Sequence, residues 1–433
     1  MNSAVSSGEA AERSAVAPAA LRRNAGFRML WISQVVSDTG TNAALIAYPL
    51  LILALTHSAA LAGIVGTVRL VVQIVLGLPG GALSDRFDRR LVMIACDSVR
   101  AAVLALLAVL VLVHLVNWPV VMVVSLVDGG ANVLFDPSAS AALPAIVHDS
   151  QLEQAYAATE ARGYAASLVG PALGGLLFGL GSSVPFVGDA LSYLFSAGTV
   201  SRICGRFRPE RSGERQSLGH EIAEGLRLVW RSPLLRAVVV LAPLVNFAFS
   251  GVIFTITVAL RQHGIAPSVI GLAQAGIAVG GLLGAVIAPR LQGRLPLWQL
   301  VIVMTVSATA LFIVAALVLP SPLVALPVAM TLVLAPAANA ALFAAMLRIA
   351  PEEMRGRVTS TVIMAATGLA ALSPLTAGLL LQDVSDRWAV GAFAATIGVA
   401  AVMCVALPWL REAEATTAAA AEPAQAEPGA ASS

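Results

Sequence analysis

Gly81-Ala-Leu-Ser-Asp85-Arg86-Phe-Asp88-Arg89-Arg90 lies between two long apolar runs, and its reading decides the fold. From Asp85 to Arg90 it holds five charges in six residues, a density that a bilayer interior does not accept. The stretch therefore marks a short turn on the water side of a membrane, directly after a helix that spans it. Composition agrees. The chain has 433 residues, 58% of them hydrophobic and 12% charged, whereas soluble domains carry about 25% charged residues. A soluble reading would need a large core with almost no polar shell. Helices satisfy their own backbone groups in lipid, so the composition points to an all-α integral membrane protein.

A spanning helix needs roughly 20 mainly apolar residues. Twelve stretches qualify: 29–55, 59–83, 91–115, 118–142, 160–181, 184–204, 235–260, 268–289, 297–319, 322–346, 359–381 and 388–410. The longest interior break, 205–234, divides them six and six. The expected organisation is a tail at 1–24, a six-helix bundle at 25–204, a linker at 205–234, a second bundle at 235–411 and a tail at 412–433. The last is rich in Ala, Glu and Pro, a composition expected to be disordered. Within the linker, Leu218, Ile222, Leu226 and Val229/Trp230 recur at helical spacing, which predicts a short amphipathic helix on the inner membrane face.

All 26 basic residues are arginine. With the N-terminus inside, 21 of them fall in cytoplasmic segments, Arg261 and Arg387 fall outside, and Arg69, Arg100 and Arg162 lie within spans. The positive-inside rule then puts both termini in the cytoplasm of a cell membrane. Spread over many short loops, the arginines give no sign of nucleic acid binding. Cys96, Cys204 and Cys404 lie far apart in apolar runs and suggest neither a metal site nor a disulfide framework.

A shift of about 204 residues aligns the two halves. Gly80, Arg86, Arg90 and Leu91 recur as Gly284, Arg290, Arg294 and Leu295. Val169-Gly-Pro171-Ala-Leu-Gly-Gly175 matches Leu372-Ser-Pro374-Leu-Thr-Ala-Gly378, and Asn42 falls over Asn246. The fold expected is twelve transmembrane helices in two six-helix bundles related by an internal repeat, the layout of transporters whose site lies between halves near the midplane.

On these residues the chain resembles the major facilitator superfamily. Residues 81–90 are similar to that family's loop signature after span two, G-x-L-x-D-R-x-G-R-R, with Asp88 in place of the usual glycine. Asp85-Arg86-Phe-Asp88-Arg89-Arg90, Phe135-Asp-Pro137 to Leu143-Pro144 and Gly170-Pro171-Ala-Leu-Gly174-Gly175 resemble its drug- and siderophore-exporting branch. The last of these is similar to a signature of exporters that exchange substrate for protons. The arginine that many proton-linked members carry in span four is absent; Asp128-Gly129-Gly130 stands near that point. The resemblance implies alternating access, a cavity lined by span one, and a gating loop made of Gly81, Asp85, Arg86, Arg89 and Arg90, with Asp85 as the latch.

Charged groups inside spans are costly and need a reason. Asp38 lies roughly 13 Å into span one, with Thr41 and Asn42 on the same helical face; it reads as a proton-titrating or substrate-facing carboxylate, or as a buried structural one. Arg69 and Asp128 each lie roughly 21 Å in from the cytoplasmic side, which makes them partners, either in the pathway or as a structural pair. With Asn42 and Asn246 these residues form the expected proton and substrate pathway. Asp97, Arg100, Asp136, Glu160 and Arg162 fall near the cytoplasmic ends of spans three to five, as an inner charge network or a static belt. Asp189, Asp383, His57, His114 and His263 are expected to be solvated. Asn246, Gln274 and Asn339 are uncharged polar groups that suit substrate contacts or helix packing. Gly170, Pro171, Gly174 and Gly175 form a small-residue face for close helix approach.

No phosphate-binding glycine loop, metal cluster or nucleophile arrangement supports an enzyme or a cofactor. The expected function is secondary active export of small, partly hydrophobic molecules such as drugs, siderophores or secondary metabolites, in exchange for protons, by a monomer. The alternatives are a nutrient importer or facilitator, and a transport-inactive sensor or scaffold.

Overall fold

The computed structural model describes residues 21–84, 87–203, 227, 230, 232–349 and 355–406. Every regular element among them is helical. The first half holds α1 (Ala25–Thr56), α2 (Ala59–Ser84), α3 (Arg89–Leu112), α4 (Trp118–Ile146), α5 (Leu152–Leu180) and α6 (Val184–Val200). The second holds α7 (Pro233–Gln262), α8 (Pro267–Gln292), α9 (Leu297–Val318), α10 (Ala325–Leu332), α11 (Ala335–Ile349), α12 (Arg355–Gly368), α13 (Ser373–Asp383) and α14 (Asp386–Ala406). The tenth span is thus divided into α10 and α11, and the eleventh into α12 and α13. Among the described residues eleven helices are long and apolar enough to cross a membrane. The remaining candidate, α6, has 17 residues.

Local signals set the helix starts. Asn24, Asn117 and Ser232 accept bonds from Phe27 N, Val120 N and Leu235 N, each satisfying an orphan amide of the first turn. Asp88, the residue that departs from the loop signature, caps α3 by accepting from Arg90 N at 2.9 Å. His57, at φ 57°, ends α1 in the left-handed conformation. Two spans run past the expected boundaries. Helix α4 continues through Pro137 and Pro144 to Ile146, because neighbouring helices in a bundle re-satisfy the groups that a proline frees. Helix α5 starts at Leu152 rather than 160, so Glu160 and Arg162 lie inside it. The proposed linker helix apart from the isolated positions 227 and 230, Asp85, Arg86, residues 1–20 of the first tail and the whole of the last one lie outside the described residues.

The packing repeats with the sequence. In the first half α1 packs on α5 and α6, α2 on α4, and α3 on α6. In the second, α7 packs on α12, α13 and α14, α8 on α10 and α11, and α9 on α14. Large apolar side chains such as Leu106, Val109 and Leu112 of α3 point outward, as a helix facing lipid requires.

The halves meet along two seams, α5 against α8 and α2 against α13. Both lie toward the end of the bundle that holds the His57 turn, called here the turn face; the opposite end, where α1 begins, is the terminal face. The seams are backbone on backbone. A Cβ on Gly271 would stand 2.6 Å from the Pro171 carbonyl oxygen, and one on Gly175 would stand 2.8 Å from Gly271 Cα. Across the second seam a Cβ on Gly378 would stand 2.5 Å from the Ala59 carbonyl oxygen, and Gly63 lies against that of Pro374. Leu375 N donates to Thr67 Oγ1 at 2.9 Å, and Ser58 Oγ donates to Gln382 Oε1 at 3.0 Å. The glycines of residues 170–175 thus divide their work: Gly170 and Gly174 seat α5 on Asn42 and Ala43 of α1, while Gly175 seats it on α8. A leucine at Gly175 cannot fit this seam. Cysteines at Ser58 and Gln382 should cross-link readily in an otherwise unchanged protein and several-fold less with Gly175→Leu; equal yields would show that the seam tolerates the added bulk.

Candidate functional site

Below the seams the halves diverge and enclose a cavity. Its upper chamber, about 320 Å³, is lined from the first half by Asn42, Tyr48, Arg69 and Ser125, and from the second by Ser250, Phe254, Thr257 and Gln274. Pro171 and Pro374 of the two seams form its roof. A lower chamber of about 430 Å³ runs toward the terminal face between α2, α7 and α12. Its walls carry Leu70, Gln73, Ile74 and Gly77 on one face of α2, and Ser360, Ile363, Met364 and Thr367 on one face of α12. Leu70 and Ser250 border both chambers. The surface is mostly apolar with a few polar groups, the make-up of a small-molecule site. Gln274 is held by bonds to Thr257 Oγ1 at 2.6 Å and to the Ile253 carbonyl at 3.3 Å.

Behind the first-half wall lies a buried charge cluster. Asp128 is 1% exposed and accepts from two guanidinium groups, Arg69 Nη1 at Oδ2 and Arg100 Nε at Oδ1, the latter at 2.9 Å. Tyr48 donates to the same carboxylate at 3.4 Å. Arg100 lies 4.0 Å above the Tyr193 ring, and Thr41 Oγ1 bonds the Tyr193 hydroxyl at 2.7 Å. Arg69 and Asp128 are therefore directly paired. Arg100, expected in the inner network, joins them instead, because its long stem carries the charge a turn away from its Cα. Asp189, expected in solvent, is 1% exposed: α6 presses it against Gly40 of α1, where a Cβ would stand 2.5 Å from its Oδ1.

Nearer the terminal face, Asp38 pairs with Arg162 at 3.2 Å, and Asn132 donates to Asp136 at 2.9 Å. Asp97 is fully buried. Glu160 is exposed, and its charge acts on Arg162. Arg89 donates to the Ala141 carbonyl at 2.8 Å and Arg90 to that of Ser201, tying the start of α3 to the last turns of α4 and α6. Asn42 lines the cavity and bonds its own helix at the Asp38 carbonyl, 2.8 Å away. Asn246 is exposed one turn below Ser250 and donates to the Ala366 carbonyl at 3.1 Å. Ser250 and Thr257 were not among the residues expected from the sequence, yet Asn246, Ser250 and Thr257 form a polar stripe at helical spacing on the mostly apolar α7.

The chain matches the family described as transmembrane secretion effector over residues 13–430. It belongs to that family, and with it to the major facilitator superfamily. It is 27% identical to a multidrug efflux pump, Tap, of Mycolicibacterium fortuitum, over 89% of this chain and 96% of that protein. It is 25% identical to the enterobactin exporter EntS of Citrobacter koseri, over 66% of this chain and 69% of that protein. Among solved structures it is similar to a bacterial homologue of the iron transporter ferroportin in an inward-facing state (TM-score 0.68, 15% identity, 91% of this chain and 100% of that one). It is also similar to a bacterial homologue of the lysosomal transporter Spinster, inward-facing and unoccupied (TM-score 0.64, 14% identity, 94% and 98%). The last two likenesses carry the fold.

Breaking a buried ion pair by removing one partner costs about 3–5 kcal/mol, because the other charge is left uncompensated. Asp128→Asn strands two arginines, whereas Arg69→Gln leaves the Arg100 pair intact. Thermal unfolding in detergent should therefore show a larger drop in midpoint for Asp128→Asn than for Arg69→Gln; the reverse order would mean that Asp128 is not the hub.

Proposed function

We propose that this chain is a secondary active exporter of small, partly hydrophobic molecules, working by alternating access and exchanging substrate for protons. The observation that carries this reading is the cavity between the two halves, roofed by two backbone seams and lined by apolar faces of α2 and α12. Its few fixed polar groups suit a compound with one or two hydrogen-bonding functions on an apolar body. Sugars, which want many amide and indole partners, suit it poorly. The relatives covering nine-tenths of the chain are multidrug efflux pumps, in line with export. The arginine asymmetry of the sequence assigns the terminal face to the cytoplasm, so the present conformer takes substrate from inside. Asp38, which pairs with Arg162 and keeps about a third of its side chain exposed, is the carboxylate best placed to exchange protons with that space.

The test is accumulation of a chemically broad panel, ethidium included, in a host stripped of its own efflux pumps. Expression should lower the steady-state level of at least one apolar compound several-fold, and a protonophore should abolish the effect. Asp38→Asn should do the same while the protein still inserts. Ser250→Trp, which fills the junction of the two chambers, should block export with the proton gradient intact. Increased uptake would replace the exporter reading with an importer, and export indifferent to the protonophore would remove the proton.

A further inference from the structure

The substrate cavity is not where the unpartnered charges lie. Asp97 of α3 is fully buried, and neither of its oxygens makes a well-formed hydrogen bond among the described residues. The hydroxyl of Ser196 of α6, also fully buried, is the one donor beside it. Seven residues earlier on α6, about 10 Å along the axis, Asp189 has one oxygen with no partner, while the other accepts only from Ser192 of its own turn at 3.1 Å. These groups share one seam between α1, α3 and α6. Arg100 stands between them, bound to Asp128 at 2.9 Å and to Thr41 at 3.4 Å, and its charge acts on both Asp97 and Asp189.

We propose that Asp97 and Asp189 are proton-binding sites of a coupling seam behind the first-half wall, separate from the substrate cavity. The proposal rests on the proton-exchange reading above and adds where the proton resides. A buried carboxylate with no more than one hydroxyl beside it costs several kcal/mol, and binding a proton removes that cost. Each acid is thus a place where the fold holds a proton in this conformer. Loss of either proton creates an anion that the nearby Arg100 can compensate, but only by leaving Asp128. That exchange loosens the tie among α2, α3 and α4, and α2 is the helix that closes one of the two seams on the turn face. The charged and titratable groups facing these sites are Asp38 and Tyr48 of α1, Arg69 of α2, Cys96 and Arg100 of α3, Asp128 of α4 and Tyr193 of α6, while Asp136 of α4 and Arg162 of α5 lie beyond them, their charges acting on Asp38.

The experiment reads the turn-face seam directly and needs no substrate. Spin labels go on cysteines at Ser58 and Gln382, in a background whose native cysteines are replaced by alanine, in lipid nanodiscs. Dipolar EPR then gives the fraction of closed seams. That fraction should fall at least twofold between pH 5.5 and pH 8.5. Asp97→Asn and Asp189→Asn, each neutral at every pH, should abolish or strongly blunt the fall. Asp97→Glu should restore it, and Asp136→Asn, outside the seam, should retain it. A closed fraction that ignores pH in the unmodified background, or that responds unchanged in both asparagine variants, would overturn the proposal. Failure of the proton-exchange reading would show separately, as export that survives a protonophore.

Discussion

The Asp128 carboxylate shared between Arg69 and Arg100 is the interaction on which the first half depends. Taking three charges out of water costs several kcal/mol per ion, and close geometry with further hydrogen bonds is what offsets it. Here the offset comes from two guanidinium groups and the Tyr48 hydroxyl around one carboxylate, with Tyr193 beneath Arg100. The cluster draws on α1, α2, α3, α4 and α6 and so fixes their register. Helix α5 is seated on α1 by other means, through Gly170 and Gly174, and by the Arg162–Asp38 pair. The second half packs with different materials: paired rings such as Phe249 on Phe312 and Phe247 on Phe393, and Gly280 and Gly284 of α8 against the backbone of the divided tenth span. One half is therefore held by geometry-demanding charges and the other by apolar shape.

That difference bears on the cavity. Arg69 is the one member of the charged trio that lines it, so the cavity wall and the cluster share a side chain. A ligand that touches Arg69 touches the group that holds Asp128, and Asp128 in turn holds Arg100. Across the cavity, Gln274, Thr257 and Ser250 offer hydrogen bonds without charge. A ligand in this cavity would meet charge on the first half and uncharged hydrogen-bonding groups on the second.

Much of this was legible in the sequence. The arginine-rich turn after the second span and the 204-residue repeat led to the fold, because a membrane restricts backbone to a few solutions. The pairing of Arg69 with Asp128 was legible as equal depth on two helices that cross in the same direction. Lateral position was not. Asp189 lies about 8 Å from the end of α6, a depth that suggests water, yet Gly40 lets α1 lie directly on it. Distance along a helix says how deep a residue is, not what covers its side. Arg100 was misplaced for a related reason: a long side chain delivers its charge away from its own Cα. The polar stripe Asn246, Ser250 and Thr257 was readable by period but not by function, since nothing in one helix says which face looks into a cavity.

On the proposed alternating-access reading, the closed seams are where such a structure opens. Helices that interdigitate large side chains must unpack them to separate, and each such step is costly. At Gly63, Gly175, Gly271 and Gly378 there is no side chain to withdraw, and the backbone carbonyls of Ala59, Pro171 and Pro374 meet α carbons directly. Opening forfeits dispersion contacts and two hydrogen bonds, those of Thr67 and Ser58, each worth about 1 kcal/mol net. Those two bonds are of the same order as the few kcal/mol that one buried proton or one bound ligand supplies. The expensive charge cluster and the inexpensive seams are thus complementary. On that reading the first holds five helices together as one body, so that energy spent at the seams turns a whole half.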